Sequence, residues 1–325
     1  MAMAIPAALT VAWLGCHGGD SNRCVSSQNP PSVDGGLQCG LPVNLNETDQ
    51  AGNVIGPGAF GIKVVEYVHV NAGGIVETNT ISVLLMLAYI DHHLDTNDTD
   101  IGVQLCKIQI PKVDIPGQSK PTVFQTLPAL LPNIPKVWVK GTMTGHDTCD
   151  TFTTEKAITP LGACLPDPLS AVLPNDPASQ TCSGAFDTSQ KDDYCNAKPM
   201  CLYDVDIDSY PGATLEAQNV PGLDVDLVFT VMRSWVALDG MAATNDLLLG
   251  TATFDLQVVP FACRLTPMGG GAQRDCNNDE LKIVMKINPD ITQTPGQDST
   301  FVAVRVPSDT TCQDIIDDEM KIFGR

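Results

Sequence analysis

In the stretch YDVDIDSYPGA, Tyr203 to Ala213, three aspartates stand two residues apart: Asp204, Asp206 and Asp208. Along an extended strand their carboxylates would share one face about 6.6 Å apart, twice the rise per residue. A pair of charges at that spacing repels by about 0.6 kcal/mol in water and about 2.5 kcal/mol at an effective dielectric of about 20. An exposed strand tolerates this, so a solvated turn requires no cation. If the backbone curls instead, oxygens at alternating positions can surround a cation, and Ca2+, a hard ion that takes several carboxylates and carbonyls, is the expected guest. The D-x-D-x-D opening matches the start of a calcium loop. Ser209, however, holds the sixth position, where an EF-hand needs glycine, and Leu215 holds the twelfth, with Glu216 one step late. A calcium site here would therefore be a loop of another type, set as the alternative to a solvated turn.

Other clusters carry less. DHHLDTNDTD, residues 91 to 100, brings His92 and His93 beside Asp91, Asp95, Asp98 and Asp100. Adjacent histidines on a strand point to opposite faces, so a polar hairpin turn is expected there in preference to one metal site. DCNNDE, residues 275 to 280, reads as a loop stapled by Cys276 after the flexible GGG at 269–271. His146 and Asp147 with a nearby hydroxyl could imitate part of a catalytic triad, but Cys149 two residues on suggests a disulfide turn. No GxSxG, HExxH or GxxxxGK[ST] occurs, and there are only five histidines. The expectation is a protein without catalytic activity. A metal-dependent hydrolase built on the three aspartates with His92 or His93 is the remote alternative.

The elements that must position these residues are strands. FGIKVVEYVHV, TNTISVLLMLAYI, IGVQLCKIQI and KVWVKGTM form one group, and ATLEAQ, DVDLVFTVMRSWVAL, LLLGTATFDLQVV, LKIVMKI and STFVAVRV a second. All are dense in Val, Ile, Leu and Thr between turn-forming residues. TATFDLQV alternates Ala252, Phe254, Leu256 and Val258 with polar residues, and Val302, Val304 and Val306 repeat that pattern. The sequence thus predicts an all-β antiparallel barrel or sandwich of about eight to ten strands, with a short helix over CQDIIDDEMKIFG. Residues 58–325 read as a single β domain, interrupted at about 145–202 by an insert with five cysteines and little apolar periodicity. Residues 17–57 read as a tether and stapled loop carrying Cys24 and Cys39.

Composition bounds where the chain works. With 38 acidic and 18 basic residues the net charge is -20, which argues against nucleic acid, because phosphates would be repelled. Twelve cysteines without CxxC or finger spacing indicate disulfides, hence an oxidising, extracytoplasmic setting. MAMAIPAALTVAWLGC, residues 1–16, is an uncharged apolar run of the signal-peptide kind. Leu14-Gly15-Cys16 resembles a bacterial lipoprotein box, with Cys16 as the lipidated residue, although Trp13 stands where leucine is usual. An ordinary secretory signal is the alternative. Membrane attachment is expected only through this anchor.

From Leu105-Cys106-Lys107-Ile108 through LPALLPNIPKVWVKG and YDVDIDSYPGATLEA to DSTFVAVRVP, the chain resembles uncharacterised secreted, lipoprotein-like β-rich proteins of myxobacteria and related bacteria. In those proteins the acidic turn tends to read Asp-x-Asp-x-Asp-Gly-x-Pro-Gly, and Ser209 departs from it. The resemblance implies a secreted β domain and, since the function of those proteins is unassigned, adds nothing about activity. The resulting expectation is a binding or cell-envelope structural module, calcium-stabilised at Asp204, Asp206 and Asp208. Its rival is a lipocalin-like carrier of a small apolar ligand, with strands closed around a cavity.

Overall fold

The computed structural model describes residues 37–324 except 75, 185, 187–194, 196–197 and 267–271. Cys16, Cys24 and the GGG at 269–271 lie outside the described residues. Twelve strands organise the molecule: β1 Gly58–Ala72, β2 Val76–His92, β3 Asp98–Ile108, β4 Val123–Thr126, β5 Val137–Met143, β6 Thr151–Thr154, β7 Ala157–Leu161, β8 Ala213–Gln218, β9 Val225–Thr244, β10 Leu247–Leu265, β11 Asp290–Gln293 and β12 Ser299–Arg305. With the two-residue strand Arg274–Asp275 they form one 13-stranded antiparallel sheet.

The sheet closes on itself. Pairing runs β1–β2–β3–β5–β6–β9–β10–β12 and returns to β1, an eight-stranded ring. Closure removes the unpaired edges of a long sheet. β12 makes it: Phe301 pairs with Gly250 on one side and Val64 on the other. At the far end of β9 the partner changes from β7 to β8, and β4 pairs with β8, so the sheet splits there. The 3-10 turn Pro128–Asn133 lies beside β3 at the split, with Leu130 and Ile134 fully buried.

Alternation decides what fills the barrel. Ala252, Phe254, Leu256 and Val258 are buried as their periodicity predicts. They meet Phe60, Ile62 and Val64 from β1 and Met86, Ala88 and Ile90 from β2 in one core. At β12 the expected face is reversed. Phe301 and Ala303 point into this core, whereas Val302, Val304 and Val306 join a second cluster outside the barrel. There the helices α2 Cys312–Asp317 and α3 Glu319–Phe323 cover the sheet, held by the Cys106–Cys312 disulfide. Because both faces of β12 are covered, apolar alternation could not say which was inner.

LKIVMKI, predicted as a strand, is the body of a helix, α1 Asn278–Ile287. Asn277 and Glu280 form a capping box, and Val284 and Ile287, three apart, are buried against the core. The cap and the 3.6 period outweigh the β-branched residues. The Cys-rich excursion also starts later than residue 145: β6 and β7 belong to the sheet, and it is the described residues between Gly162 and Tyr203 that lie off it. Leu165, Leu173 and Leu202 of that excursion pack on Phe229, Val231 and Phe261, on the outside of β9 and β10. Cys164–Cys195 and Cys182–Cys201 staple it.

Gly61 lets the C-terminal cover sit on β1, since a Cβ there would meet Ile315 Cδ1 at 2.8 Å and Phe323 Cζ at 3.3 Å. Gly61→Val should therefore lower stability by roughly 1–3 kcal/mol through overpacking, read as a reduced urea midpoint. An unchanged midpoint would mean that the helices are not seated on β1.

Candidate metal centre

The three aspartates lie on a loop that joins the stapled excursion to β8. Cys201–Leu202 pairs antiparallel with Ala163–Cys164, which fixes where the chain emerges. The loop is pinched at its neck: Gly212 N–H donates to Tyr203 O at 2.8 Å, and Val205 N–H to Gly212 O at 3.2 Å. Tyr210 stacks on Phe229 with 3.8 Å between ring centroids, tying the loop to β9.

Between these fixed points the backbone curls. Ile207 and Ser209 take φ of 58° and 73°, in the left-handed region that β-branched residues avoid. The curl turns Ile207 outward to 58% exposure and brings the carboxylates together. One ligand oxygen from each of Asp204, Asp206 and Asp208 lies within 4.8 Å of the others. On a flat strand the outer pair would stand about 13 Å apart, four residue rises. Much of the remaining hydrogen-bonding capacity is used inside the loop. Asp204 accepts from the Asp208 and Ser209 N–H groups at 3.2 and 2.8 Å. Asp208 accepts from Tyr210 N–H at 2.8 Å and from the Thr214 hydroxyl at 2.7 Å.

Asp206 is different. It is only 4% exposed, and its Oδ2 accepts from Thr214 N–H at 2.7 Å. Its Oδ1 is buried with no hydrogen-bond partner. Burial pushes its carboxyl up to about 7; the Thr214 N–H pulls the other way, and the charges of Asp208 and Asp204 add to the rise. A buried, unpartnered carboxylate oxygen beside two further acids is unfavourable unless a proton or a cation meets it.

The histidines go elsewhere. His92 turns into one mouth of the barrel, with its Nε2 3.0 Å from His146 Nδ1. His93 pairs with Asp100 at 3.0 Å, and Asp100 also meets Lys140. Among the described residues no histidine joins the aspartate group. The two histidines thus diverge as neighbours on a strand must, and the convergence a hydrolase would require is not formed. His146 meets this histidine partner and stands by the Cys39–Cys149 bridge. Asn46 is buried against the His92 backbone.

One ionisable residue gave no signal in the sequence. Glu66 points into the barrel, 2% exposed, with Oε1 lacking any partner. Burial raises it to about 8, against the pull of Ser82, its cross-strand neighbour. Inside its strand it occupies an inward position among valines, and only the alternation of KVVEYVHV could have placed it there.

Among the described residues the core of the barrel is closely filled by side chains. The cavity lined by residues such as Ile62, Met86, Ile101, Phe152 and Leu248 measures about 10 Å³. That is space for at most one water, whereas small-molecule sites span roughly 300–1,000 Å³. Comparison with known protein families, curated proteins and solved structures finds no match for this chain.

Glu66 supplies a pH test. Protonated when folded and ionised when unfolded, it lends stability that is present below pH 4.5 and lost as pH rises through about 8. Glu66→Gln cannot ionise, so relative to wild type it should gain on the order of 4 kcal/mol between pH 4.5 and pH 8 in urea unfolding. A gap between the two proteins that does not change with pH would remove the buried acid as its cause.

Proposed function

We infer that this chain is a non-catalytic binding or envelope module of an extracytoplasmic compartment, with Ca2+ holding the Asp204–Asp208 loop. The coarse part is plain: an all-β chain with five disulfides among its described residues matches an oxidising environment outside the cytoplasm. The observation that carries the calcium reading is the orphaned Asp206 Oδ1, buried within reach of oxygens from Asp204 and Asp208. Carboxylates of this kind suit a hard divalent cation, which would satisfy the orphan and cancel the repulsion among the three acids. Asp204, Asp206 and Asp208 would hold the ion. Bound there, it would stiffen the turn by which the chain re-enters the sheet after the Cys-rich excursion.

Location at the envelope is proposed through Cys16, supported by the apolar run that ends in Leu14-Gly15-Cys16 and by the resemblance to lipoprotein-like secreted proteins. The mass of the mature N-terminal peptide tests it. Diacylglyceryl-modified Cys16 is expected, and an unmodified cysteine or a cleavage site past it would end the proposal. Among the described residues no helix is long and apolar enough to cross a membrane.

Calorimetric titration of chelator-stripped protein with CaCl2 should give one site per chain. A dissociation constant of about 0.1 mM, in the range of extracellular modules, implies about 2 kcal/mol of added stability at 5 mM calcium. That corresponds to a rise of a few degrees in melting temperature. Asp206→Asn should abolish both effects while the protein stays folded. A folded wild-type protein that takes up no calcium and shows no thermal shift would overturn the reading.

A further inference from the structure

The barrel mouth at which His92 lies is covered by a stretch that adds no strand to the ring. Residues 40–46 run across it with Val43, Leu45 and Asn46 buried. This cap is held from several sides. Val43 N–H donates to His146 O at 2.6 Å, and Leu41 and Thr148 exchange contacts at 2.8 and 3.1 Å. Asn46 grips the His92 backbone with both ends of its amide, each at 2.7 Å. Arg305 donates to the carbonyls of Asn44 and Asn46 at 3.0 and 3.3 Å. Cys39–Cys149 tethers the cap to the 144–150 loop.

The two residues that grip the cap also grip each other through their rings. His92 Nε2 stands 3.0 Å from His146 Nδ1, and the ring centroids are 5.0 Å apart. A hydrogen bond between two imidazoles needs one proton and one lone pair. When both rings carry full charge neither facing nitrogen can accept, and two cations confront each other. The other nitrogen of His92, Nδ1, is buried without a partner, so a proton there finds no acceptor.

We propose that the cap is an acid-released latch: protonation of the His92–His146 pair parts the rings and frees residues 40–46 from the barrel mouth while Cys39–Cys149 keeps them tethered. The groups around the pair set the balance. On β2, Asp91 favours charge on His92 and His93 opposes it; from the 144–150 loop, His146 opposes it. Asp147 and Asp150 belong to that loop, and Asp150 Oδ2 accepts from Asp147 N–H at 2.8 Å. On β3 the inward neighbour is the neutral Thr99, since Asp100 is taken by His93 and Lys140. At β12, Arg305 is paired with Asp246 at 2.7 Å. Burial dominates and holds His92 down to about 4, against 6.5 for a free ring. The closed cap is thus stabilised fully above pH 6.5, and that contribution is lost as pH falls toward 4. His92 alone favours the open form about 70-fold more at pH 4.5 than at pH 7.5.

Hydrogen exchange of the intact, oxidised chain at the two pH values tests this, after correction for the intrinsic pH dependence of exchange. Protection over residues 40–47 should fall by tens of fold at pH 4.5 while the β9–β10 hairpin keeps its own. In His92→Gln the pH ratio should collapse toward one, whereas in His146→Gln, which removes the facing ring but leaves His92 buried, it should shrink without vanishing. Equal protection of the cap at both pH values would overturn the latch. So would a ratio that survives in His92→Gln, or hairpin protection lost in step with the cap, which would mean global unfolding.

Discussion

β12 must pair on both sides for the sheet to become a barrel, and most of the structure depends on that closure. Its residues stand more than 200 positions from their β1 partners, so the ring is complete only when the ends of the domain meet. Until then β1 and β10 present long unpaired edges rich in valine and leucine, the kind of surface on which chains associate wrongly. The 206-residue separation bridged by Cys106–Cys312 reinforces the same union from outside, because α2 begins seven residues after β12 ends.

Closure leaves an outer surface that is itself partly apolar, and the disulfides answer this second need. The C-terminal helices cover β1 and β12, and the stapled excursion covers β9 and β10. Neither cover has a core of its own. A chain of this size does not need bridges to bury enough apolar area; here they hold peripheral segments against the barrel.

Against this apolar interior three ionisable groups stand out, each met differently. Glu66 keeps its proton. Burial keeps His92 neutral, and it faces a second imidazole across a hydrogen bond. Asp206 has acids for neighbours and an oxygen without a partner, which sets it apart as the place where an added positive charge resolves a local conflict. The net charge of -20 says nothing of this, since it counts the solvated carboxylates of the surface with the few that are buried.

Much of the fold was legible in the residues: most of the strands, the short C-terminal helix, the disulfide dependence, and the divergence of His92 from His93. These follow from local rules, the two-residue period of a strand and the chemistry of cysteine. LKIVMKI was misread because its composition favours a strand while its cap, Asn277 with Glu280, favours a helix. Val302 and Val304 were assigned to the wrong face because a covered outer surface looks like a core in sequence. The grouping of Asp204, Asp206 and Asp208 was legible only as an alternative, since their spacing suits a flat strand as well as a curl. Tertiary structure decided it: the neck between Tyr203 and Gly212, the Tyr210–Phe229 stack and the left-handed turns at Ile207 and Ser209 draw the carboxylates together. By itself the sequence determined which segments would alternate and that its cysteines would form bridges. Which strands met, which faces turned inward and which acids lost their water depended on contacts between residues far apart in the chain, where no local period reaches.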